Sequence, residues 1–134
     1  VFATLHTNSA AQTIERLIDV FPAAQQSQIR MQLSGSLLAV FAQTLCRAID
    51  KSEGCFGRVM AQEIMINTNA IANLIREGKT AQIYSQLQTG SKFGMQTMEQ
   101  CLANLINNKQ ISTAEALTKT GRPSELQNLL MGAP

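Results

Sequence analysis

The sequence predicts an α/β fold in which a few strands, at residues 1–6, 43–49 and 58–66, precede an all-helical bundle that begins at about residue 68. Three observations predict this order. The chain opens on a short apolar run that is typical of a buried strand. A turn-forming stretch at 50–54 separates two β-rich segments, which indicates a hairpin. Beyond the hairpin, apolar residues recur every three or four positions, as they do along one face of a helix.

The composition describes a domain that can build a core but carries little charge. Of its 134 residues, 45% are hydrophobic and only 15% are charged, against about a quarter in typical domains. Eleven basic and nine acidic residues give a net charge of +2 without a basic run, so no nucleic-acid partner is expected. No apolar stretch reaches the roughly 20 residues of a membrane span, and we expect no membrane insertion. Three widely spaced cysteines do not form a disulfide framework, which favours a cytoplasmic location.

Two helices are predicted between the first strand and the hairpin. Asn8 or Ser9 caps the first helix, whose apolar positions follow helical spacing up to Ile18. This helix ends at Phe21-Pro22, because the residue before a proline disfavours the α region. A second helix covers residues 23–33 and ends before a glycine.

Five helical segments are predicted after the hairpin, at residues 70–77, 80–87, 95–107, 112–117 and 125–131. In the first of them, Ile71, Leu74 and Ile75 share one face, and Gly78 marks the C-terminal stop. In the fourth, a serine followed three residues later by a glutamate forms a capping box. The apolar faces of these segments predict that they pack together as a bundle.

Two motifs that suggest chemistry have simpler structural explanations. Gly78-Lys79-Thr80 matches the end of a P-loop, but a full P-loop needs glycine where Asn73 stands and a strand where the spacing predicts a helix. Gly78 is therefore interpreted as a helix C-cap. Cys46, Cys55 and Cys101 lack the paired spacing of a zinc site. We interpret them as small buried hydrophobic residues, and no metal site is predicted.

His6 is the only histidine in the chain and stands at the end of the predicted first strand, just before a helix. In open α/β sheets ligands bind at this position, so the residue is a candidate for function. A histidine that is hydrogen-bonded for structural reasons stays the alternative. No nucleophile can be placed beside it, and a catalytic triad is not predicted.

Four ordered motifs carry a family resemblance. They are Phe2-Ala3-Thr4-Leu5-His6-Thr7-Asn8-Ser9-Ala10-Ala11 with Val20-Phe21-Pro22, then Gly57-Arg58-Val59 through Glu63-Ile64-Met65, then Ala70-Ile71-Ala72-Asn73-Leu74-Ile75-Arg76-Glu77, and finally Gly94-Met95-Gln96-Thr97-Met98. In this order they resemble the His box with its following helix, the hairpin, the C-terminal motif associated with retraction and the segment after it in the PilT-type retraction ATPases of type IV pili. These ATPases belong to the secretion-ATPase superfamily, and the resemblance extends to about residue 116.

The sequence departs from the family pattern at three positions. Ala72 replaces an arginine of the retraction motif, while Asn69 stands in place of a proline and Gln62 in place of a histidine. The hairpin loop is short and lacks the tetracysteine insertion of the assembly and secretion ATPases, which favours the retraction branch. A pilus-assembly or type II secretion ATPase stays the alternative within the superfamily. A non-catalytic helical interaction module stays the alternative outside it.

The resemblance implies a RecA-like fold, with residues 1–66 as the C-terminal portion of the ATPase core and residues 67–134 as a helical C-terminal subdomain. The P-loop, the Walker B segment and an N-terminal PAS-like domain are expected upstream of Val1. The chain alone is therefore expected to be inactive and to bind neither ATP nor Mg²⁺ tightly. The implied full-length protein is a homo-hexameric ATPase that uses ATP and Mg²⁺ to retract pili in twitching motility. It is expected in the cytoplasm at the inner membrane, beside a pilus platform protein.

The resemblance also implies roles for individual residues. His6 is implied to act as a catalytic γ-phosphate sensor and Thr7 to contact the nucleotide. Arg16 is implied to contact the nucleotide or a neighbouring subunit. A helix at 70–77 is implied to couple hydrolysis to movement through the motif residues Ala70, Ile71, Asn73, Leu74, Ile75, Arg76 and Glu77. In this scheme Ile71, Leu74 and Ile75 pack inward, and Arg76 and Glu77 face outward.

Overall fold

The computed structural model describes residues 1–50 and 57–132 of the chain. Within these residues it contains seven α-helices and two strands: α1 (Ala10–Asp19), α2 (Ala23–Ser36), β1 (Ala39–Arg47), β2 (Arg58–Ile66), α3 (Asn69–Arg76), α4 (Ile83–Thr89), α5 (Met98–Asn107), α6 (Thr113–Lys119) and α7 (Pro123–Leu130). Two short 3-10 turns, Thr80–Gln82 and Ser91–Phe93, lie on either side of α4. None of the described helices combines the length and the hydropathy that crossing a bilayer requires.

Strands β1 and β2 pair with each other and form the predicted hairpin. Along β1, Val40, Ala42 and Cys46 are buried and the residues between them are exposed or half-buried, as expected for a strand with one face on a core. This strand begins at Ala39, four residues before the predicted start at 43. Strand β2 has its predicted bounds. Residues 51–54 of the predicted turn lie outside the described residues.

The prediction of a strand at residues 1–6 is corrected by the structure, in which this segment has no regular secondary structure. A strand requires hydrogen bonds to a neighbouring strand, and among the described residues only β1 and β2 form a sheet. Val1 and Phe2 are consequently exposed. An apolar, β-rich run indicates a preference for extended backbone, but it does not supply the second strand.

The chain divides into two compact units, each with its own core. Unit 1 comprises Val1–Ala42 and Ile64–Gln96, and unit 2 comprises Gln43–Glu63 and Thr97–Pro134. The fully buried side chains of the unit 1 core include Ile14, Ile71, Ile75 and Ile83, and those of the unit 2 core include Cys46, Leu102, Ile111 and Leu126. In both units the apolar helix faces that the spacing predicts are the faces that form the core.

The structure corrects two of the predicted helix boundaries. The helix predicted at 95–107 begins instead at Met98, because Thr97 and Gln100 form a capping box. In this box the Thr97 hydroxyl accepts from the Gln100 amide at 3.1 Å, and the Gln100 side chain accepts from the Thr97 amide at 3.0 Å. The segment predicted at 80–87 divides into a 3-10 turn and α4. The other helices lie within three residues of their predicted bounds.

Candidate functional site

An open cleft lies where the segment before α1 meets the exposed side of that helix. Its volume is about 650 Å³, and it is lined by His6, Thr7, Asn8, Gln12, Glu15, Arg16, Asp19 and Val20. All of these residues belong to unit 1. The cleft therefore brings together His6, Thr7 and Arg16, the three residues that the resemblance implies for nucleotide contact.

Side chains of α1 hold the segment that precedes the helix. The Arg16 Nη1 group donates to the backbone carbonyl of His6 at 3.1 Å. The hydroxyls of Thr7 and Thr13 lie 2.7 Å apart. Because the Thr13 hydroxyl donates its proton to the Ser9 carbonyl at 2.8 Å, Thr7 is the donor to Thr13. Ser9 also caps α1 through its side chain, so the entry of the chain into the helix is fixed by side-chain hydrogen bonds.

The His6 side chain differs from the His6 backbone in its contacts. The backbone carbonyl accepts the Arg16 hydrogen bond, whereas the imidazole is exposed and no described residue hydrogen-bonds it. The alternative, a ring held by structural hydrogen bonds, would need a partner for the imidazole, and no described residue provides one. An imidazole with both nitrogens accessible can donate to or accept from a ligand in the cleft.

The cleft carries charges of both signs along α1. Arg16 provides a guanidinium, and Glu15 and Asp19 provide exposed carboxylates. The Glu15 Oε1 atom accepts a hydrogen bond of 2.6 Å from the hydroxyl of Thr80. Sequence reasoning missed this pair, because its members are 65 residues apart and no local pattern relates them. In the sequence, Thr80 belongs only to an incomplete P-loop motif, as its last residue.

Helix α3 carries the motif to which the resemblance assigns coupling. Ile71 and Ile75 are fully buried and Leu74 is half-buried, which confirms the predicted inward-facing stripe. Ala72, which stands where the family motif has arginine, is also buried, with 9% of its surface exposed. The position is therefore occupied by a small buried side chain that carries no charge.

The polar side of the same motif faces outward. The Arg76 Nη1 group donates to Asn73 Oδ1 at 2.8 Å, and Arg76 Nε donates to Ser34 Oγ on α2 at 3.4 Å. Glu77 lies just past α3 and forms an ion pair of 2.9 Å with Lys79. The hydrogen bond from Lys79 lowers the pKa of the Glu77 carboxyl, and the charge of Lys79 adds to the effect. Arg76 and Glu77 are both exposed, as predicted, although Arg76 also reaches α2.

Gly78 follows the C-terminal end of α3 and turns the chain away from the helix. Its φ of 72° lies in the left-handed region, where glycine has no steric penalty. Its amide donates to the Ile75 carbonyl at 3.1 Å. The interpretation of Gly78 as a helix C-cap is confirmed, and the glycine does not form part of a phosphate-binding loop.

The described residues contain no group of three or more His, Cys, Asp or Glu side chains that could hold a metal ion. Cys46 is fully buried in the core of unit 2, and burial raises the pKa of its thiol. Cys101 is half-buried, and its Sγ accepts from the Gln62 amide at 3.4 Å. Cys55 lies outside the described residues. Cys46 is thus the small buried hydrophobic residue that the sequence predicts.

Comparison with known sequences identifies relatives along almost the entire chain. The profile of the type II/IV secretion system protein family matches residues 1–125. The chain is 51% identical over 123 residues to the type IV pilus retraction ATPase PilT of Pseudomonas aeruginosa, covering 92% of this chain and 34% of that protein. It is 46% identical over 125 residues to a twitching motility protein of Neisseria gonorrhoeae, covering 93% of this chain and 32% of that protein.

A solved structure shares the same fold. The crystal structure of the pilus retraction motor PilT with bound ADP is similar to this chain with a TM-score of 0.83 and 41% sequence identity, over 96% of this chain and 34% of that one. The chain thus spans about a third of the length of the relatives it matches. The predicted fold class and the family resemblance are both confirmed. The chain belongs to the type II/IV secretion system protein family and is similar to about a third of the retraction ATPase PilT.

Proposed function

We propose that the chain forms the C-terminal part of a hexameric, ATP-driven motor that retracts type IV pili. The observation that carries the proposal is the His6 cleft, in which the histidine backbone is held by Arg16 and the ring is left accessible. The family profile matches residues 1–125 and so includes both the cleft and α3. In this proposal, residues 1–66 contribute to the ATPase core and residues 67–134 form a helical subdomain.

His6 is proposed to sense the γ-phosphate of bound ATP. Its exposed imidazole offers a donor and an acceptor for a phosphate oxygen or a water molecule. Because Arg16 holds the His6 carbonyl, a shift of this segment is passed directly to α1. The Thr7 hydroxyl is engaged with Thr13 but retains acceptor capacity, and Arg16 retains further N–H donors. Thr7 is proposed to contact the nucleotide, and Arg16 is proposed to contact the nucleotide or a neighbouring subunit.

ATP and Mg²⁺ are the proposed cofactors of the full-length protein, and this chain supplies only part of their site. The side chains of His6 and Arg16 are donors of the types that hydrogen-bond phosphate oxygens. The Thr7 hydroxyl, whose proton goes to Thr13, can accept from a water molecule or from a hydroxyl of the nucleotide. ATP, when bound, supplies the β–γ phosphoanhydride bond whose hydrolysis drives the motor. No P-loop sequence occurs in the 134 residues, so the chain lacks the backbone cradle that phosphoryl transfer requires. We propose that the chain by itself neither hydrolyses ATP nor binds it tightly.

Helix α3 is proposed to couple hydrolysis to movement. Its apolar stripe fixes it to the unit 1 core, while Arg76 and Glu77 stay exposed and available to another surface. The proposed assembly is a homo-hexamer in the cytoplasm, peripheral to the inner membrane, with the pilus platform protein as partner. The support for this assembly is the similarity of the chain to the retraction ATPase PilT, over about a third of the length of that protein.

The proposal is tested by replacing the homologous third of P. aeruginosa PilT with this chain. Twitching of a strain that lacks its own PilT is measured together with ATP hydrolysis by the purified chimera, and we expect the chimera to restore both. In the chimera, His6→Ala is expected to lower turnover about tenfold or more, which equals about 1.4 kcal/mol. Nucleotide affinity is expected to change little, since a γ-phosphate sensor acts mainly on the transition state.

Three outcomes would contradict separate parts of the proposal. A chimera that hydrolyses ATP but does not restore twitching contradicts the assignment to retraction. Unchanged hydrolysis in His6→Ala, together with a lower melting temperature, gives His6 a structural role only. For the chain alone, isothermal titration with Mg-ATP is expected to show no tight binding, and low-micromolar binding contradicts that expectation.

A further inference from the structure

The hydrogen bond between Glu15 and Thr80 connects two parts of unit 1 that are far apart in sequence. Glu15 lies on the exposed side of α1, in the His6 cleft. Its Oε1 accepts from the Thr80 hydroxyl at 2.6 Å. Hydrogen bonds to a carboxylate are shorter and stronger than those between neutral groups. Because Thr80 is only 8% exposed, water competes little for its hydroxyl.

On the α1 side, this bond is one residue away from the contact that holds His6. Arg16 directly follows Glu15 and donates to the His6 carbonyl at 3.1 Å. The helix that carries both residues is fixed to the unit 1 core by Ile14 and Ile18, which are buried there. A displacement of the His6 backbone therefore reaches Glu15 through less than one turn of helix.

On the other side, Thr80 is joined closely to the end of α3. The chain turns away from the helix at Gly78, and the amides of Gly78 and Lys79 donate to the carbonyls of Ile75 and Leu74 at 3.1 and 2.8 Å. These hydrogen bonds fix this segment to the last turn of α3. A displacement of Thr80 is therefore also a displacement of the end of that helix.

We propose that the Glu15–Thr80 hydrogen bond ties the conformation of the His6 cleft to the end of α3, so that a change at either place is transmitted to the other. Glu15 and Thr80 are positioning residues, since both act through the groups they hold. Their role in a motor rests on the proposed function, in which the cleft responds to ATP hydrolysis and α3 moves. The bond between them then determines whether hydrolysis produces movement.

The first experiment uses the single histidine of the chain as a probe. The ring ¹H and ¹³C chemical shifts of His6 are compared at one fixed pH in the unmutated chain and in Thr80→Val, Thr80→Ser and Glu15→Ala. Valine keeps the shape of threonine without the hydroxyl, and serine keeps the hydroxyl. We expect Thr80→Val and Glu15→Ala to shift the His6 signals and Thr80→Ser to leave them in place. The double variant is expected to shift them no further, because both changes remove one interaction.

A matched control removes a hydroxyl that makes a local bond only. The Thr89 hydroxyl donates to the Ser85 carbonyl within α4 at 3.2 Å and is exposed. Thr89→Val is therefore expected to leave the His6 signals unchanged. Circular dichroism confirms that each variant is folded, and Glu15→Ala, which changes an exposed side chain, provides a second route if Thr80→Val is unstable.

The second experiment places the same changes in the PilT chimera. We expect Thr80→Val to reduce twitching about fivefold or more, which is the low end of typical coupling effects, and to change ATP hydrolysis less than about twofold. A merely structural role would lower both together. The inference is overturned if Thr80→Val and Glu15→Ala both leave the His6 signals in place, or if Thr80→Val twitches normally in an active chimera. If the unmutated chimera does not twitch, the proposed function fails, and the His6 signals alone decide the coupling.

Discussion

Helices α1 and α5 begin with the same local chemistry. Each is capped by a hydroxyl residue whose side chain accepts a hydrogen bond from an amide three residues later. At α1 the Ser9 hydroxyl accepts from the Gln12 amide at 3.2 Å, and at α5 the Thr97 hydroxyl accepts from the Gln100 amide at 3.1 Å. From these contacts alone, the two helix starts are equivalent.

The surroundings of the two helix starts are nevertheless different. Thr97 is fully buried, and the buried carboxylate of Glu63 on β2 accepts from the Met98 amide at 3.2 Å. At α1, the neighbouring polar groups include the exposed His6 ring and the exposed Arg16 side chain. The start of α5 is closed by a residue from elsewhere in the chain, whereas the start of α1 borders an open cleft.

This difference shows how the two units use polar groups. In unit 2, buried carboxylates complete the hydrogen bonds of the fold, since Glu63 holds α5 and the Glu99 carboxylate accepts from the Thr120 hydroxyl at 2.7 Å. At the start of α1 in unit 1, Thr13 is buried, but the His6 ring and the Arg16 side chain remain exposed. A hydroxyl cap therefore predicts a helix start, and residues distant in sequence decide whether that start is open to a ligand.

The largest expected effect on stability concerns the two cores. If the two units differ in their polar groups and not in their packing, the loss of a buried side chain should cost a similar free energy of unfolding in each core. Ile75 in unit 1 and Leu102 in unit 2 are both fully buried. We expect Ile75→Ala and Leu102→Ala each to lower the free energy of unfolding by about 2–5 kcal/mol, through lost burial and a cavity. Urea unfolding followed by circular dichroism measures this, with the exposed Leu38→Ala as control. A much smaller loss for Ile75→Ala would mean that unit 1 is loosely packed.

The next effect tests the closed start of α5. Removing the Glu63 carboxylate leaves the buried Met98 amide without this acceptor, and an unsatisfied buried donor costs about 1–3 kcal/mol. We expect Glu63→Ala to lower the free energy of unfolding by that amount. Glu63→Gln is expected to cost less, because an amide oxygen can still accept. Equal losses for the two variants in urea unfolding would show that the carboxylate charge matters more than this hydrogen bond.

The sequence predicted these features to different degrees, for physical reasons. Local patterns sufficed for the inward stripe of Ile71 and Ile75 and for the Gly78 stop, because both depend on neighbours within one helical turn. Thr97 and Gln100 also show a capping-box pattern, which could have corrected the predicted helix start at 95. The contacts of Glu63 with Met98 and of Glu15 with Thr80 join residues 35 and 65 positions apart, so no local pattern contains them.

A smaller effect tests the open start of α1. Ser9 accepts from the Gln12 amide, and replacing such a cap with alanine costs typically about 1 kcal/mol. We expect Ser9→Ala to lower the free energy of unfolding by this amount and Ser9→Gly by only a few tenths of a kcal/mol. The measurement is urea unfolding of both variants. A loss for Ser9→Ala as large as that for Glu63→Ala would remove the contrast between the two helix starts.

The smallest effect on stability is expected on the exposed side of α3. Arg76 makes one short contact, to Asn73 on its own helix, and Glu77 pairs with the exposed Lys79. Exposed ion pairs are screened by solvent and contribute little to stability. The urea midpoint of the double variant Arg76→Ala with Glu77→Ala is therefore expected to stay unchanged. In the PilT chimera the same variant is expected to impair twitching, because α3 then lacks the charged groups proposed to couple it to movement.

The two measurements on this double variant distinguish the possible roles of α3. Normal twitching with unchanged stability would make the helix a scaffold held by its apolar stripe. A lower urea midpoint would mean that the 3.4 Å contact between Arg76 and Ser34, which joins α3 to α2, contributes to the free energy of unfolding. Arg76→Lys is the matched control, since it keeps the charge but cannot reproduce the two-pronged geometry of the guanidinium. Impaired twitching in Arg76→Lys would therefore assign the function of this surface to guanidinium geometry rather than to charge.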